Sequence, residues 1–295
     1  MKFILAVNPT SGKKQSAAIL DMVRPIFDLS GAELSVIKTL YPGHAIELGK
    51  SLDFNNYDGF LVLGGDGTFH EVVNGMLKRQ DGLTLPIGLI PGGSGNSVLH
   101  DLDLLDPISA TKAIVSGNTR FMDVAQTEMD HMVTHSINLI GWGLVTDVGK
   151  RAEALRWFGP SRYTLSSIIE IVLKKSRRAT LVIDDKTLVD HFTFIVACNS
   201  IHIGNGMKMA PYAKLDDGLI DILVLDAKVT RQRLVSVLPK LFDGTHINEP
   251  EISYHQASSF SILSETNDNL IIDGEMIGTT PITTRILKHA IKIFA

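Results

Sequence analysis

Cysteine is almost absent: Cys198 is the only one in 295 residues, which excludes an internal disulfide and a cysteine zinc cage and asks for no oxidising compartment. Long apolar runs are missing too. None approaches the roughly 20 residues of a bilayer span, and the run at residues 3–7 stops at Asn8-Pro9, too short for the apolar region of a signal peptide. Positive charge is not in excess: 28 Lys and Arg face 32 Asp and Glu, a formal net charge of -4 that supplies no pull toward nucleic acid. With 44% hydrophobic residues, no internal repeat and no low-complexity linker, disorder and fibres are excluded as well. A cytoplasmic protein is expected, with no nucleic-acid partner and only peripheral contact with a membrane.

Several common nucleotide signatures are also lacking. Gly12-Lys13-Lys14 has neither the earlier glycine nor the closing Ser or Thr of a Walker A loop. No G-x-G-x-x-G follows the first strand, and no H-R-D or D-F-G occurs, which argues against a Rossmann oxidoreductase and a protein kinase. His131 and His135 stand in a strand-like stretch without H-E-x-x-H, so no zinc site is expected there.

What is present begins with a rhythm of short β-rich runs and helical patterns, which predicts a parallel sheet covered by helices. Strands are expected at 2–7, 32–38, 59–63 and 86–90. Ala17, Ile19, Leu20, Val23 and Phe27 mark one helix face, and a second helix is expected to begin near Gly43. From about residue 120 the texture turns β-rich, at 132–141, 180–184, 191–198, 219–225, 258–264, 268–273 and 282–294. This predicts a second, mainly antiparallel domain. Its helical stripes are Leu165, Ile168, Ile169 and Val172, then Val229, Leu234, Val237, Leu238 and Leu241. Both are expected to pack into the core, with a lipid-facing wall as the alternative. The boundary falls near 120–127, giving domains 1–124 and 125–295, with the last strand free to return to the first.

Chemistry concentrates in the loops after the early strands. The apolar stretch 61–63 runs into Gly64-Gly65-Asp66-Gly67-Thr68 and then a helix pattern, and 86–90 runs into Pro91-Gly92-Gly93-Ser94-Gly95-Asn96-Ser97. Glycines let a backbone approach a ligand, and a helix N-terminus offers free N–H groups to phosphate. A carboxylate such as Asp66 would repel phosphate unless a cation stands between them, so a magnesium nucleotide is implied. Asn8-Pro9-Thr10-Ser11-Gly12-Lys13 is a third, weaker loop of this kind. Tight turns, with Asp66 as a helix cap, remain the alternative.

These loops resemble the diacylglycerol kinase catalytic domain of bacterial lipid kinases, sphingosine kinases and ceramide kinases. The match runs from Asn8-Pro9 with Gly12, through Gly64 to Thr68 with Glu71 and Asn74-Gly75, to Pro91 through Asn96. It continues in Asp216-Asp217-Gly218-Leu219-Ile220-Asp221 and Asp273-Gly274-Glu275, and so spans nearly the whole chain. The resemblance implies an α/β domain related to NAD kinases and phosphofructokinases, followed by a β-sandwich-like domain for the lipid. It implies ATP and Mg2+ as cofactors. Asn8, Thr39, Gly64, Gly65, Asp66, Gly67, Thr68, Gly93 and Ser94 would line the nucleotide, with Asp66 also catalytic. Asp273 and Glu275 would reach the same cleft, one of them as the base for a lipid hydroxyl, and the residues alone do not choose between them. A structural magnesium is implied at Asp217 with the carbonyls of Lys214 and Leu219, where a plain D-D-G turn is the alternative. Asp123 would help organise magnesium waters.

Two departures bear on the substrate. Many bacterial members carry Asp where Ser97 stands, so one acid of the metal network is missing. The segment 141–163, with Gly141-Trp142-Gly143, Asp147, Arg151, Arg156-Trp157-Phe158 and Arg162-Tyr163, looks like the sphingosine and ceramide kinase form, in which Asp147 would read the polar head. A salt bridge from Asp147 to Arg151 is the alternative. Lys174-Lys175-Ser176-Arg177-Arg178 is either a solvated run or a patch for an anionic membrane, and Trp142 and Trp157 read as core or cleft walls. The expected activity is transfer of the γ-phosphate of ATP to a membrane-lipid hydroxyl, on diacylglycerol or a sphingoid or ceramide-like lipid, with a homodimer left open. A soluble-substrate kinase such as an NAD kinase, or a silent nucleotide- or lipid-binding protein, is the competing reading.

Overall fold

The computed structural model describes residues 1–12, 15–204 and 206–295, so Lys13 and Lys14 of the first loop lie outside the described residues. The chain divides into one unit of Met1–Val124, Gly204–Gly206 and Lys288–Ala295 and a second of Ala125–Ile203 and Met207–Leu287.

In the first unit, β1 (Lys2–Val7), α1 (Ser16–Leu29), β2 (Glu33–Lys38), α2 (His44–Ser51), β3 (Gly59–Gly64), α3 (Asp66–Leu77) and β4 (Ile87–Pro91) alternate as strand and helix. The short α4 (Ser97–Asp101) and α5 (Pro107–Ser116) follow. The strands are parallel in the order β2-β1-β3-β4. Apolar strands buried on both faces produce that parallel sheet. Phe3, Leu5 and Val7 pack with Val23 and Phe27 of α1, and Phe3 stands edge-on to Phe27 and Phe294 at 5.9 and 5.8 Å. The chain leaves β1 toward β2 on one side and places β3 on the other. The order therefore reverses between β1 and β3, and the crevice beyond their carboxyl ends is where such sheets bind ligands.

β5 (Thr119–Met129) begins in the first unit and ends in the second. The second unit then carries β6 (Met132–Ser136), β7 (Leu139–Gly143), α6 (Leu144–Ala154), α7 (Arg162–Leu173), β8 (Arg177–Ile183) and β9 (Lys186–Cys198). A two-stranded pair, β10 (His202–Ile203) and β11 (Met207–Lys208), precedes β12 (Ile220–Asp226) and α8 (Arg231–Val237). The last strands are β13 (Ile252–Ala257), β14 (Ser259–Ser264), β15 (Asn269–Ile272), β16 (Glu275–Thr279) and β17 (Ile282–Phe294). Antiparallel pairing runs β16-β15-β7-β9-β8-β14-β17, with β12 between β9 and β13. Along β9, Ile195 and Ala197 enter one apolar cluster and Phe194, Val196 and Cys198 the other, the period of two expected of a strand covered on both faces.

The structure corrects the sequence reading in four places. The stretch 132–141 is two strands, broken between Ser136 and Leu139, and β5, β10, β11, β13 and β16 were not anticipated, because they are short or their apolar pattern is interrupted by polar residues. Trp142 is a fully buried core residue, whereas Trp157 is 76% exposed. The stripe on α7 packs only in part: Ile168 and Val172 are exposed, Leu165 and Ile169 are half-buried, and the buried residues are Ser166, Glu170 and Ile171. Glu170 is tolerated inside because Arg151 of α6 donates to it from Nε at 2.5 Å. On the other stripe, Val229 and Leu234 are buried as expected of a packed helix.

Buried imidazoles give the second unit a pH signature. His246 is buried and donates from Nε2 to the Met209 carbonyl at 3.0 Å, and burial holds its pKa below the ordinary value. Burial lowers His255 likewise. A depressed base contributes stability above its unfolded pKa of about 6.5 and loses it as pH falls, because only the unfolded chain takes up the proton. The urea midpoint should therefore drop between pH 7 and pH 5, and His246→Gln should shrink that drop. An unchanged pH slope in the variant would remove His246 from the account.

Candidate active site

The first unit brings three sequence-predicted loops together at the carboxyl ends of β1, β3 and β4. Asn8, just past β1, donates from Nδ2 to Thr68 Oγ1 at 3.0 Å across the point where the strand order reverses. Its own Oδ1 accepts from the Thr10 amide and hydroxyl at 3.0 and 2.9 Å. Gly92 N–H donates to the Gly64 carbonyl at 2.8 Å. A Cβ on Gly93 would come within 2.4 Å of Gly65 Cα, and one on Gly12 within 2.6 Å of the Gly92 carbonyl oxygen. Several of these glycines are thus required by loop-on-loop packing before any ligand is considered. Ser94 is exposed at the tip, and Thr39 is buried with its amide donating to the Val7 carbonyl at 2.9 Å.

Asp66 opens α3, where its charge complements the helix N-terminus. Its carboxylate accepts from the Ser97 amide at 2.8 Å and the Ser97 hydroxyl at 3.0 Å. Ser97, which reads in the sequence as a missing acid, is therefore a donor to Asp66. Gly95 makes room for the pair, since a Cβ there would lie 2.5 Å from Asp66 Oδ2.

The continuation of the motif has a different task. Glu71 accepts from the amides of Gly43 and Ala45 at 2.9 and 3.1 Å, capping the start of α2. Gly75 lies against the Ile46 carbonyl, which a Cβ would meet at 2.3 Å, so α2 and α3 cross closely. Asp123 is fully buried and accepts from His289 N–H at 2.6 Å, at a left-handed residue of β17.

In the second unit Asp273 and Glu275 have unlike surroundings. Asp273 is buried at positive φ, and its Oδ1 accepts from Ser136 Oγ and from the amides of Asn138 and Leu139 at 2.7, 2.9 and 3.0 Å. Its Oδ2 accepts from Ile137 N–H at 2.9 Å. The break between β6 and β7 is thus a nest of backbone donors closed on this carboxylate. Glu275, two residues on at the start of β16, is exposed and has no hydrogen-bond or ion-pair partner among the described residues.

Asp147, in the first turn of α6, accepts from Arg177 Nη2 with both oxygens at 2.8 and 2.9 Å. Arg177 also reaches Asp268 at 3.4 Å. The alternative bridge from Asp147 to Arg151 is not formed: Asp147 pairs with Arg177, while Arg151 serves Glu170.

At the expected magnesium position, Asp217 Oδ1 accepts from Leu219 N–H at 3.0 Å, as an Asx turn does. Nearby Asp221 is buried and accepts from Tyr254 and Gln256 at 2.6 and 3.0 Å, with its other oxygen unpartnered. Burial raises its pKa, and the charge of Asp217 adds to the effect. Hard oxygen donors of this type suit magnesium. Among the described residues, however, no three His, Cys, Asp or Glu side chains converge as a metal cage. An ion at Asp217 would depend on the carbonyls of Lys214 and Leu219.

Comparison with known proteins agrees with this architecture. Residues 2–127 match the diacylglycerol kinase catalytic domain, and residues 138–295 match the YegS C-terminal NAD kinase beta sandwich-like domain. Sphingosine kinase 1 of Arabidopsis thaliana is 31% identical over 93% of this chain and 67% of its own length. A diacylglycerol kinase of Staphylococcus saprophyticus is 29% identical over 97% of this chain and 93% of its own. Among solved structures, a diacylglycerol kinase from Bacillus anthracis superposes with a TM-score of 0.81 at 25% identity, covering 99% and 96% of the two chains. An NAD kinase from Archaeoglobus fulgidus in complex with ATP shares the fold at a TM-score of 0.51 and 12% identity, over 100% and 94%. With an α/β unit followed by a β-sandwich-like unit, both matched along their length, the chain belongs to the diacylglycerol kinase catalytic-domain family, a family of ATP-using lipid kinases.

Proposed function

We propose that this chain transfers the γ-phosphate of Mg-ATP to a hydroxyl of a membrane lipid of the diacylglycerol or sphingoid and ceramide type. The observation that carries the reading is the junction of three glycine loops around Asp66 at the point where the strand order reverses, beside family matches that extend through both units. Phosphoryl transfer demands mainly positioning and neutralisation of charge. The positive end of α3, with Ser94 and the Gly93 backbone, would receive phosphate oxygens. Asp66, fixed by Ser97, would hold the cation that accompanies ATP, directly or through its waters, and so offset phosphate charge. A structural magnesium, held by Asp217 and the carbonyls of Lys214 and Leu219, would brace the turn before β12 and take no part in the transfer.

Glu275 takes the proton of the acceptor hydroxyl as its oxygen bonds to the γ-phosphorus, and ADP leaves. It suits that role because its carboxylate is open, whereas that of Asp273 is occupied by four donors. Asp273 sets the turn from which Glu275 projects.

The test is transfer of labelled γ-phosphate from Mg-ATP to mixed micelles of diacylglycerol, sphingosine, ceramide or phosphatidylglycerol, with NAD as a soluble acceptor. A labelled lipid supports the reading and selects the acceptor. Label in NAD alone, or ATP binding with no transfer, overturns it. Because Arg177 already occupies Asp147, Asp147→Ala is expected to lower turnover equally on sphingosine and diacylglycerol. A loss confined to sphingosine would make Asp147 the reader of its amine.

A further inference from the structure

We propose that the outward face of α7, with the aromatic pair just before it, is a docking surface for an anionic lipid bilayer. The proposal rests on the lipid-kinase reading for its purpose, but its evidence is separate.

The helix turns part of its apolar surface outward. Its inward side carries Ser166, the Arg151-paired Glu170 and the core residue Ile171, while Ile168 and Val172 stand 46% and 61% exposed. Tyr163 and Leu173, near the two ends of the helix, are exposed as well. Just before the helix, Trp157 and Phe158 are exposed against each other with ring centroids 4.0 Å apart. Isolated exposed apolar residues are ordinary, but six large ones within seventeen residues are a patch that water disfavours.

Charge decides what covers it. From Arg156 to Arg178 the chain carries six Lys or Arg and one acid, Glu170, which is buried. Asp147 neutralises Arg177, and Glu265 pairs with Arg178. Arg162 and the exposed Lys175 have no acidic partner among the described residues, and Lys174 reaches only the Ala227 carbonyl, at 2.6 Å. On the neighbouring α8, Arg231 donates from Nε to the Val172 carbonyl at 2.7 Å, which adds a further cation beside the strip. Exposed apolar side chains that include Trp and Tyr, with Lys and Arg beside them, make the pattern of a surface lying in a membrane interface. A second copy of the chain would set these cations against themselves. A surface rich in phosphatidylglycerol would pair them. Among the described residues no helix is long and apolar enough to cross the bilayer, so the contact is a surface one.

The experiment is flotation of the full chain with vesicles of pure phosphatidylcholine and of phosphatidylcholine mixed equally with phosphatidylglycerol. Binding is expected to the mixed vesicles, to weaken in high salt, and to shift Trp157 emission to the blue. Ile168→Glu with Val172→Glu, and separately Arg162→Glu with Lys175→Glu, should each weaken it at least ~10-fold. Neither pair should move the urea midpoint, because all four side chains lie outside the core. Turnover on lipid in detergent micelles should persist in both. Equal affinity for the two vesicle types, no vesicle binding, or a concentration-dependent dimer that the Glu variants abolish would overturn the proposal. A chain that phosphorylates micellar lipid yet ignores vesicles would sink the docking surface and leave the kinase standing. Vesicle binding without lipid transfer would do the opposite.

Discussion

Glu275→Gln should lower kcat at least ~100-fold and leave the urea midpoint where it is, whereas Asp273→Asn should lower the midpoint as well. The difference lies in what each carboxylate touches. Glu275 is exposed at the head of β16 and has no partner among the described residues, so replacing its charge by an amide removes a base and disturbs no packing. Asp273 accepts three backbone N–H groups and the Ser136 hydroxyl. An asparagine there would turn an NH2 group toward a cluster of donors and leave at least one buried N–H without an acceptor. Losing such a charged acceptor costs about 2–4 kcal/mol. Turnover in Asp273→Asn should fall too, because the turn that presents Glu275 is closed by that nest. Urea melts and single-turnover transfer on both variants separate the two effects. A Glu275→Gln enzyme with full kcat would deprive Glu275 of its role, and an Asp273→Asn chain of unchanged midpoint would make the nest unimportant.

The parallel half of the fold was legible because apolar strands and glycine turns are local signals. β1 to β4 lie where the runs at 2–7, 32–38, 59–63 and 86–90 place them, to within a residue or two. The loops after β3 and β4 were legible for the same reason, since three glycines in four residues exceed what a simple turn needs, whereas the loop after β1, with Gly12 alone, was the weaker signal. What each residue touches was not. Glu71 belongs to the motif in sequence, yet it caps a helix that starts 27 residues earlier. Ser97 reads as a missing acid until its hydroxyl is seen on Asp66. The choice between Asp273 and Glu275 depends on amides at 137–139, more than 130 residues away. α7 shows the limit of periodicity: spacing tells that one face is apolar, but the burial of Glu170 against Arg151 decides which face turns inward. β5 and β13 escaped because neither alternates apolar with polar residues: β5 buries Asp123 and Thr127 among its apolar residues, and β13 carries Ser253, His255 and Gln256 within six positions.

Gly93→Ala should abolish nucleotide binding in a chain that still folds, and Asp66→Asn should do nearly the reverse, keeping the nucleotide and losing transfer. The methyl group added at Gly93 would sit 2.4 Å from Gly65 Cα, far inside contact distance, and both atoms belong to loops already joined by the bond from Gly92 to Gly64. No flexible side chain can give way, so the loops must part by an ångström or more, and a displacement of that size in a positioning site costs on the order of 100-fold. The sheet core beneath does not involve either loop, so the chain should still fold, at the ~1–3 kcal/mol cost of an overpacked contact. Asp66→Asn leaves an amide oxygen for the Ser97 N–H, and the Ser97 hydroxyl can turn to accept from the new NH2, so the loops stay closed. The negative charge facing the cation of Mg-ATP is gone, and kcat should drop at least ~100-fold with little change in ATP affinity. Equilibrium binding of ATP, measured beside single-turnover transfer, reads both. Tight binding by Gly93→Ala would show that the loops do not cradle phosphate, and full turnover by Asp66→Asn would show that its carboxylate only caps α3.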